Sequence, residues 1–319
     1  MNRDVITIGA SAGGVEVLLN LVGDLPRDLP AALFVVVHRP PTEADRLPEL
    51  LSSRGPLQAH HPLHTERIER GKIYVAPPDN QLLLRPGSVE VVRGPRENGH
   101  RPAVDPLFRT ASAAYGSRVI GVVLSGYQDC GTAGMMSIKA RGGVSVVQSP
   151  ESAQAPEMPT SVLQRVPVDH IVHPPELGSL LVRLAREPAG PAPQPDPVVS
   201  RLEGDLPGEL TPIVCPICQG ALTEAHAGAF EHFRCHVGHA FSMESLVREQ
   251  SESLERALWA AVRALEESSG LSRRLALRER GVLSQRFSEK AQTQNEQAEL
   301  IRQILLQGAL LTPPDAKGV

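Results

Sequence analysis

The sequence predicts an α/β fold, a doubly wound and mostly parallel sheet, followed by a small Cys/His-rich unit and a C-terminal helical arm. Three observations carry this expectation. Short apolar, β-rich runs alternate with amphipathic stretches through the first 187 residues. Strands that apolar are buried on both faces, and alternation with helices is the pattern of a parallel sheet. Three of the four cysteines fall between Cys215 and Cys235, spaced like metal ligands rather than a disulfide framework. From Met243 to about Leu310 the chain is charged, helix-forming and almost free of Gly and Pro, with Leu246, Leu254, Leu258, Ala261 and Leu265 at helical spacing.

Taken in order, Val5 to Ile8 reads as a strand and Gly14 to Val22 as the helix after it. Strands are expected at Ala32 to Val37 and Lys72 to Ala76, and a hairpin over Gln81 to Arg93 turning at Pro86-Gly87. Pro102 to Ala114 is expected helical, Val119 to Leu124 a strand, Gly131 to Arg141 a helix and Val144 to Gln148 a strand. A helix over Leu177 to Arg186 closes the first domain, residues 1–187. Residues 188–210 begin with Pro188, Pro191, Pro193, Pro195 and Pro197 among small and polar residues, a composition that reads as a linker. The Cys/His unit occupies 211–242 and the arm, a helical hairpin or coiled coil, 243–310.

Composition narrows the function. Hydrophobic residues make up 41% and charged residues 21%, with a formal net charge of −4. No basic surface invites nucleic acid, and 3% aromatics leave little to stack bases. No secretory signal pattern and no apolar run near the roughly 20 residues of a membrane helix is visible. The expectation is a cytoplasmic protein that binds no nucleic acid and does not insert into a membrane.

Gly9-Ala10-Ser11-Ala12-Gly13-Gly14 follows the first strand and opens a helix. It satisfies G-x-S-x-G, the pattern that places a serine on a tight strand-to-helix turn. The helix N-terminus supplies unpaired N–H groups suited to an oxyanion. A dinucleotide-binding loop is the competing reading of the same glycines. That fold wants Asp or Glu at the end of its second strand to hold a ribose, whereas Val35-Val36-Val37 ends in His38-Arg39-Pro40. In a doubly wound sheet the carboxyl ends of neighbouring strands face one crevice, so Ser11 and His38 can meet as nucleophile and general base.

Further motifs join these two: Tyr74-Val75-Ala76-Pro77-Pro78-Asp79, then Arg101-Pro102-Ala103-Val104-Asp105-Pro106-Leu107-Phe108, Leu124-Ser125-Gly126, Gly131-Thr132-Ala133-Gly134 and Glu157-Met158-Pro159. Together, over about residues 4 to 186, they resemble the chemotaxis protein-glutamate methylesterase (CheB) family. The resemblance implies hydrolysis of glutamyl methyl esters on chemoreceptors, and in some members receptor glutamine deamidation. It implies Ser11 as nucleophile, His38 as its base and N–H groups near Ala12 in the oxyanion site. The partners it implies are methylated chemoreceptor cytoplasmic helices and a separate regulatory protein.

Two departures stand out. The family carries an Asp immediately before the residue matching Gly131, and here that position is Cys130, with Asp129 one residue early. A neutral thiol orients an imidazole poorly, so Asp129 is the candidate third member. Gln81 stands where relatives carry His. Chemotaxis members usually begin with a phospho-acceptor domain, and this chain begins at the esterase domain, so control is expected from another protein or from the C-terminal region. His60, His61 and His64 read as a solvated loop without a role.

Cys215-Pro216-Ile217-Cys218 and Cys235-His236-Val237-Gly238-His239 give C-x₂-C-x₁₆-C-x₃-H, a zinc-ribbon-like set. Four protein ligands make a closed, structural Zn²⁺ site, since catalytic zinc keeps a position open. Cys215, Cys218, Cys235 and His239 are the expected ligands, with His236 the alternative fourth; catalysis needs no cofactor. A second reading of the whole chain, motivated by Cys130, is a catalytically weakened family member acting as a signalling adaptor.

Overall fold

The structure, a computed structural model, describes residues 1–39, 45–191, 193, 208–228 and 230–307. Much of the Pro-rich linker expectation, Pro195 and Pro197 included, lies outside the described residues, as do 308–310 at the end of the arm. Contacts divide the chain into two units, Met1–Ser245 and Leu246–Val319.

The first unit opens with β1 (Val5–Ala10), α1 (Gly14–Asp24), β2 (Ala32–Val37) and α2 (Leu47–Arg54), then β3 (Gln58–His60), β4 (Thr65–Arg67) and β5 (Lys72–Val75). The expected hairpin forms as β6 (Gln81–Arg85) and β7 (Ser88–Val92). It is followed by α3 (Val104–Tyr115), β8 (Val119–Val123), α4 (Thr132–Ala140), β9 (Val144–Gln148), α5 (Glu157–Arg165), β10 (His170–Val172) and α6 (Pro174–Arg186). Helix α6 starts three residues before the expected Leu177, because proline is well placed in a first turn whose N–H groups have no intrahelical acceptor.

Seven strands pair in the order β10-β9-β8-β1-β2-β5-β3, every pair parallel. Alternation places successive residues on opposite faces, and both faces are buried. Ile6, Ile8, Leu33 and Val35 pack with Leu18, Leu21, Leu51, Leu177 and Leu181 from α1, α2 and α6. Val5, Phe34 and Val36 pack with Leu107, Phe108, Met135, Ile138 and Val162 from α3, α4 and α5. Chain order runs one way from β1 through β2 and the other way from β8 through β9. The carboxyl ends of β1 and β8 therefore flank a topological switch point, where a crevice opens.

The Cys/His segment forms an antiparallel sheet of β11 (Glu209–Val214), β12 (Ala221–Ala227), β13 (Phe230–Cys235) and β14 (Ala240–Ser242). It belongs to the first unit. Glu97 is buried between Arg109 of α3, at 2.6 Å, and Arg234 of β13, at 3.9 Å. These guanidinium charges outweigh burial and hold its carboxyl down at about 2. The arm is a helical pair, α7 (Met243–Arg278) and α8 (Val282–Leu306), which belongs to the second unit from Leu246 onward. Val262, Ala298 and Leu305 are buried there with Leu258, Leu265 and Ile301 against them, and Ser269 Oγ donates to the Ala291 carbonyl at 2.8 Å. Among the described residues no helix is long and apolar enough to cross a membrane.

Candidate active site

The serine turn sits at the switch point. Ala10 pairs with Val37, and the His38 N–H extends that ladder to the Ala10 carbonyl at 3.1 Å. Ser11 and His38 thus leave neighbouring strands at the same level, with a strand spacing of about 4.8 Å. On the other side the Ser11 N–H donates to the Ser125 carbonyl at 2.9 Å. The chain then reverses through Gly13, whose φ of 76° is left-handed, a conformation glycine adopts without steric cost. Ser125 Oγ donates to the Ala12 carbonyl at 2.7 Å and accepts from the Ala155 N–H at 2.9 Å, pinning the turn to the loop ahead of α5.

Gly126 packs directly against the serine turn. A Cβ there would lie 2.1 Å from Met158 Sδ and 2.7 Å from Ser11 Cβ. Gly126→Ala must displace both neighbours, an overpacking that costs about 1–3 kcal/mol. The expected result is a lowered unfolding midpoint together with at least about tenfold slower labelling of Ser11 by a fluorophosphonate. Wild-type values for both would show that Met158 and Ser11 yield freely.

The ring of His38 stacks on His100, with centroids 3.7 Å apart and planes 11° from parallel. His100 closes a tight turn with Glu97, His100 N donating to the Glu97 carbonyl at 2.9 Å. Sequence reasoning assigned His100 nothing, because the turn that brings it to His38 is set by tertiary contacts.

The third loop, Ser125 to Gly131, carries both candidate positions for the third member. Cys130 is fully buried among core side chains and accepts from the Val104 N–H at 3.4 Å. Burial pushes its thiol pKa well up, so it is neutral. Asp129 is also buried. Its Oδ1 accepts from Ser242 Oγ at 2.9 Å, and its Oδ2 has no hydrogen-bond partner among the described residues. The carboxylate is thus turned to β14, not hydrogen-bonded to His38. Asp105, also unassigned from sequence, accepts from Gly131 N at 3.0 Å, Gly134 N at 2.7 Å and Asn98 Nδ2 at 2.9 Å, fixing the start of α4.

Burial raises the Asp129 carboxyl to about 7, against the lowering effect of Ser242. The folded state therefore binds a proton that the unfolded chain releases near 4. Stability from this group is complete below about pH 4 and is lost as pH rises to about 7. At about 1.4 kcal/mol per unit the total is on the order of a few kcal/mol. Asp129→Asn, which cannot ionise, is expected to flatten this part of the pH profile of the unfolding midpoint and to stabilise the protein at pH 8. An unchanged profile would place the titration elsewhere.

Other sequence expectations resolve into supports. Gln81 donates to the Pro95 carbonyl and accepts from the Ala103 N–H, at 2.8 and 2.9 Å. Asp79 binds Arg101 at 2.6 Å, and that guanidinium holds its carboxyl below the usual range. His60 and His61 do not lie in a purely solvated loop. His60 ends β3 with Nε2 2.9 Å from Glu66 Oε1, and His61 Nδ1 lies 2.9 Å from the Val75 carbonyl. Their capture at the sheet edge depends on a three-residue strand too short to show periodicity.

Cys215, Cys218, Cys235 and His239 converge, their ligand atoms all within 4.8 Å of one another. Cys218 Sγ to Cys235 Sγ is 3.6 Å, Cys215 Sγ to His239 Nδ1 3.7 Å and Cys235 Sγ to His239 Nδ1 3.6 Å. A tetrahedral zinc ion with sulfur at about 2.3 Å and nitrogen at about 2.0 Å sets edges of roughly 3.5–3.8 Å, so the group fits one. His236 lies outside this group, its ring against Gly220.

Residues 6–181 match the family model described as CheB methylesterase. A Leptospira interrogans protein, named provisionally as a protein-glutamate methylesterase/protein-glutamine glutaminase, is 35% identical over 188 residues, covering 58% of this chain and 96% of that protein. A Methanosarcina acetivorans protein with the same pair of activities in its name is 32% identical over 190 residues, 57% of this chain and 53% of its own length. The catalytic domain of Thermotoga maritima CheB methylesterase superposes with a TM-score of 0.55 at 29% identity, over 58% of this chain and all of that domain. With the motif match running through more than half of the chain and the same fold beneath it, this chain belongs to the CheB methylesterase family.

Proposed function

We propose that this protein is a cytoplasmic protein-glutamate methylesterase acting on the methylated cytoplasmic helices of a chemoreceptor. The observation that supports the reading is the register of β1 and β2, by which Ser11 and His38 leave neighbouring strands at the same level, beside the switch point. Ser11 Oγ attacks the ester carbonyl while His38 takes its proton. The oxyanion lies toward the Ala12 N–H and the start of α1, where the backbone N–H groups and helix dipole favour negative charge. His38 returns the proton to the departing methoxide, and methanol leaves an acyl-enzyme. Water, deprotonated by His38, then releases glutamate and regenerates Ser11. A receptor glutamine follows the same course with ammonia leaving. Asp129 is our candidate for the charge that supports the imidazolium, acting without a direct hydrogen bond to His38, and Cys215, Cys218, Cys235 and His239 would hold a structural Zn²⁺ supporting the C-terminal sheet.

Methanol release from a methylated receptor fragment tests this: the wild type is expected to turn over and Ser11→Ala to fall to background. A specific observation favours a second reading, a weakened signalling adaptor. Cys130 stands at the family's Asp position, and Asp129 hydrogen-bonds Ser242 rather than His38. Saturable receptor binding without methanol release would support it.

A further inference from the structure

We propose that Ser242, at the end of the Cys/His unit, is a positioning residue of the esterase site, holding Asp129 and the Glu97–His100 turn in place. The proposal rests on the esterase reading above. Ser242 is buried and faces two elements of the catalytic domain at once. Its hydroxyl donates to Asp129 Oδ1 at 2.9 Å, and its N–H donates to Asn98 Oδ1 at 3.0 Å. Three residues on, Ser245 Oγ donates to the same Asn98 oxygen at 2.8 Å. Asn98 Nδ2 passes the connection to Asp105, which grips Gly131 and Gly134 just beyond Asp129. The Asp129–Gly131 loop is therefore held from both ends.

Backbone bonds reinforce the arrangement. Asn98 N donates to the Ala240 carbonyl at 2.8 Å, and Ala240 N donates to the Arg96 carbonyl at 3.3 Å. Strand β14 thereby frames the turn whose His100 ring stacks on His38. The charged groups acting on Asp129 are Glu244, Asp105 and Arg165, none of them bonded to it, so the Ser242 hydroxyl is its one hydrogen-bond donor among the described residues. A buried carboxylate with one oxygen fixed and the other unpartnered has a single orientation to offer. Without the donor, that carboxylate becomes harder to ionise.

The test uses the full chain and four variants, Ser242→Ala, Ser242→Thr, Asp129→Asn and the Ser242→Ala/Asp129→Asn double, each checked by its unfolding midpoint. Ser242→Ala is expected to lower kcat/KM for methanol release about tenfold and to move the acid limb of its pH profile up by about one unit, as for loss of a hydrogen bond to a charged group. Ser242→Thr, which keeps the hydroxyl, restores the limb. In the Asp129→Asn background Ser242→Ala has no further effect. A wild-type pH limb in Ser242→Ala, or a loss of the same size in both backgrounds, overturns the proposal, and a rise in activity would make β14 an inhibitory contact instead. If the wild type shows no Ser11-dependent turnover, the esterase reading fails, and the His38 ring titration followed by NMR decides the positioning separately. A His38 shift in Ser242→Ala that vanishes in the Asp129→Asn background supports it, and an unmoved His38 overturns it.

Discussion

His38→Ala is expected to cut ester turnover by about 10⁴-fold or more, to the level of Ser11→Ala, and the double variant is expected to lose no more. Groups that act as one unit are removed together by removing either. Without His38, Ser11 Oγ is an ordinary alcohol whose proton has no acceptor in the attacking geometry, and the leaving methoxide has no donor. What survives is binding and the oxyanion environment near Ala12, which alone gives modest catalysis. The fold should survive, since the His38 N–H to Ala10 bond is made by backbone and the stack on His100 that the ring gives up is only half-buried. Steady-state methanol release with the unfolding midpoint alongside decides it. Turnover in His38→Ala well above that of Ser11→Ala would mean that another group takes the serine proton, with stacked His100 the first to examine.

How much of this was legible in the sequence depends on the range of the forces involved. The strands Ala32–Val37 and Val144–Gln148 match their expected bounds, because unbroken β-branched and apolar runs between polar residues leave few alternatives. Helix α5 was not among the expected elements; it is a short helix of nine residues, and Pro159 sits in its first turn, where a missing N–H costs nothing. Strands β3, β4 and β10 have three residues each, too few for a period. The serine turn and the metal-ligand spacing are local, so residue type and separation carry them. Asp129's partner is not local. Ser242 lies 113 residues away, and no spacing rule connects a loop after one sheet to the last strand of another. The same holds for Glu97, whose two guanidinium partners come from α3 and β13.

Stripping the metal is expected to release the C-terminal sheet and take much of the esterase activity with it. That sheet buries few large side chains, chiefly Leu222, Phe230, Phe233 and Phe241, too little apolar area to order some thirty residues unaided. Burial pushes the Cys215 thiol up to about 11, so an ion-free group presents a neutral thiol where a metal would hold a thiolate; in small metal-dependent domains, binding free energy on the order of 10 kcal/mol is folding free energy. Cys235 ends β13 and His239 directly precedes β14, so losing the clamp frees the strand that frames Asn98 and holds Asp129. Chelation at neutral pH, or Cys215→Ser, should expose residues 209–242 to limited proteolysis and lower the unfolding midpoint. Methanol release should fall about tenfold or more and return with added Zn²⁺ in the chelated wild type only. Metal analysis before treatment should give about one zinc per chain. A metal-free protein that resists protease and keeps full turnover would separate the Cys/His unit from catalysis and leave Ser242 without a reason to be where it is.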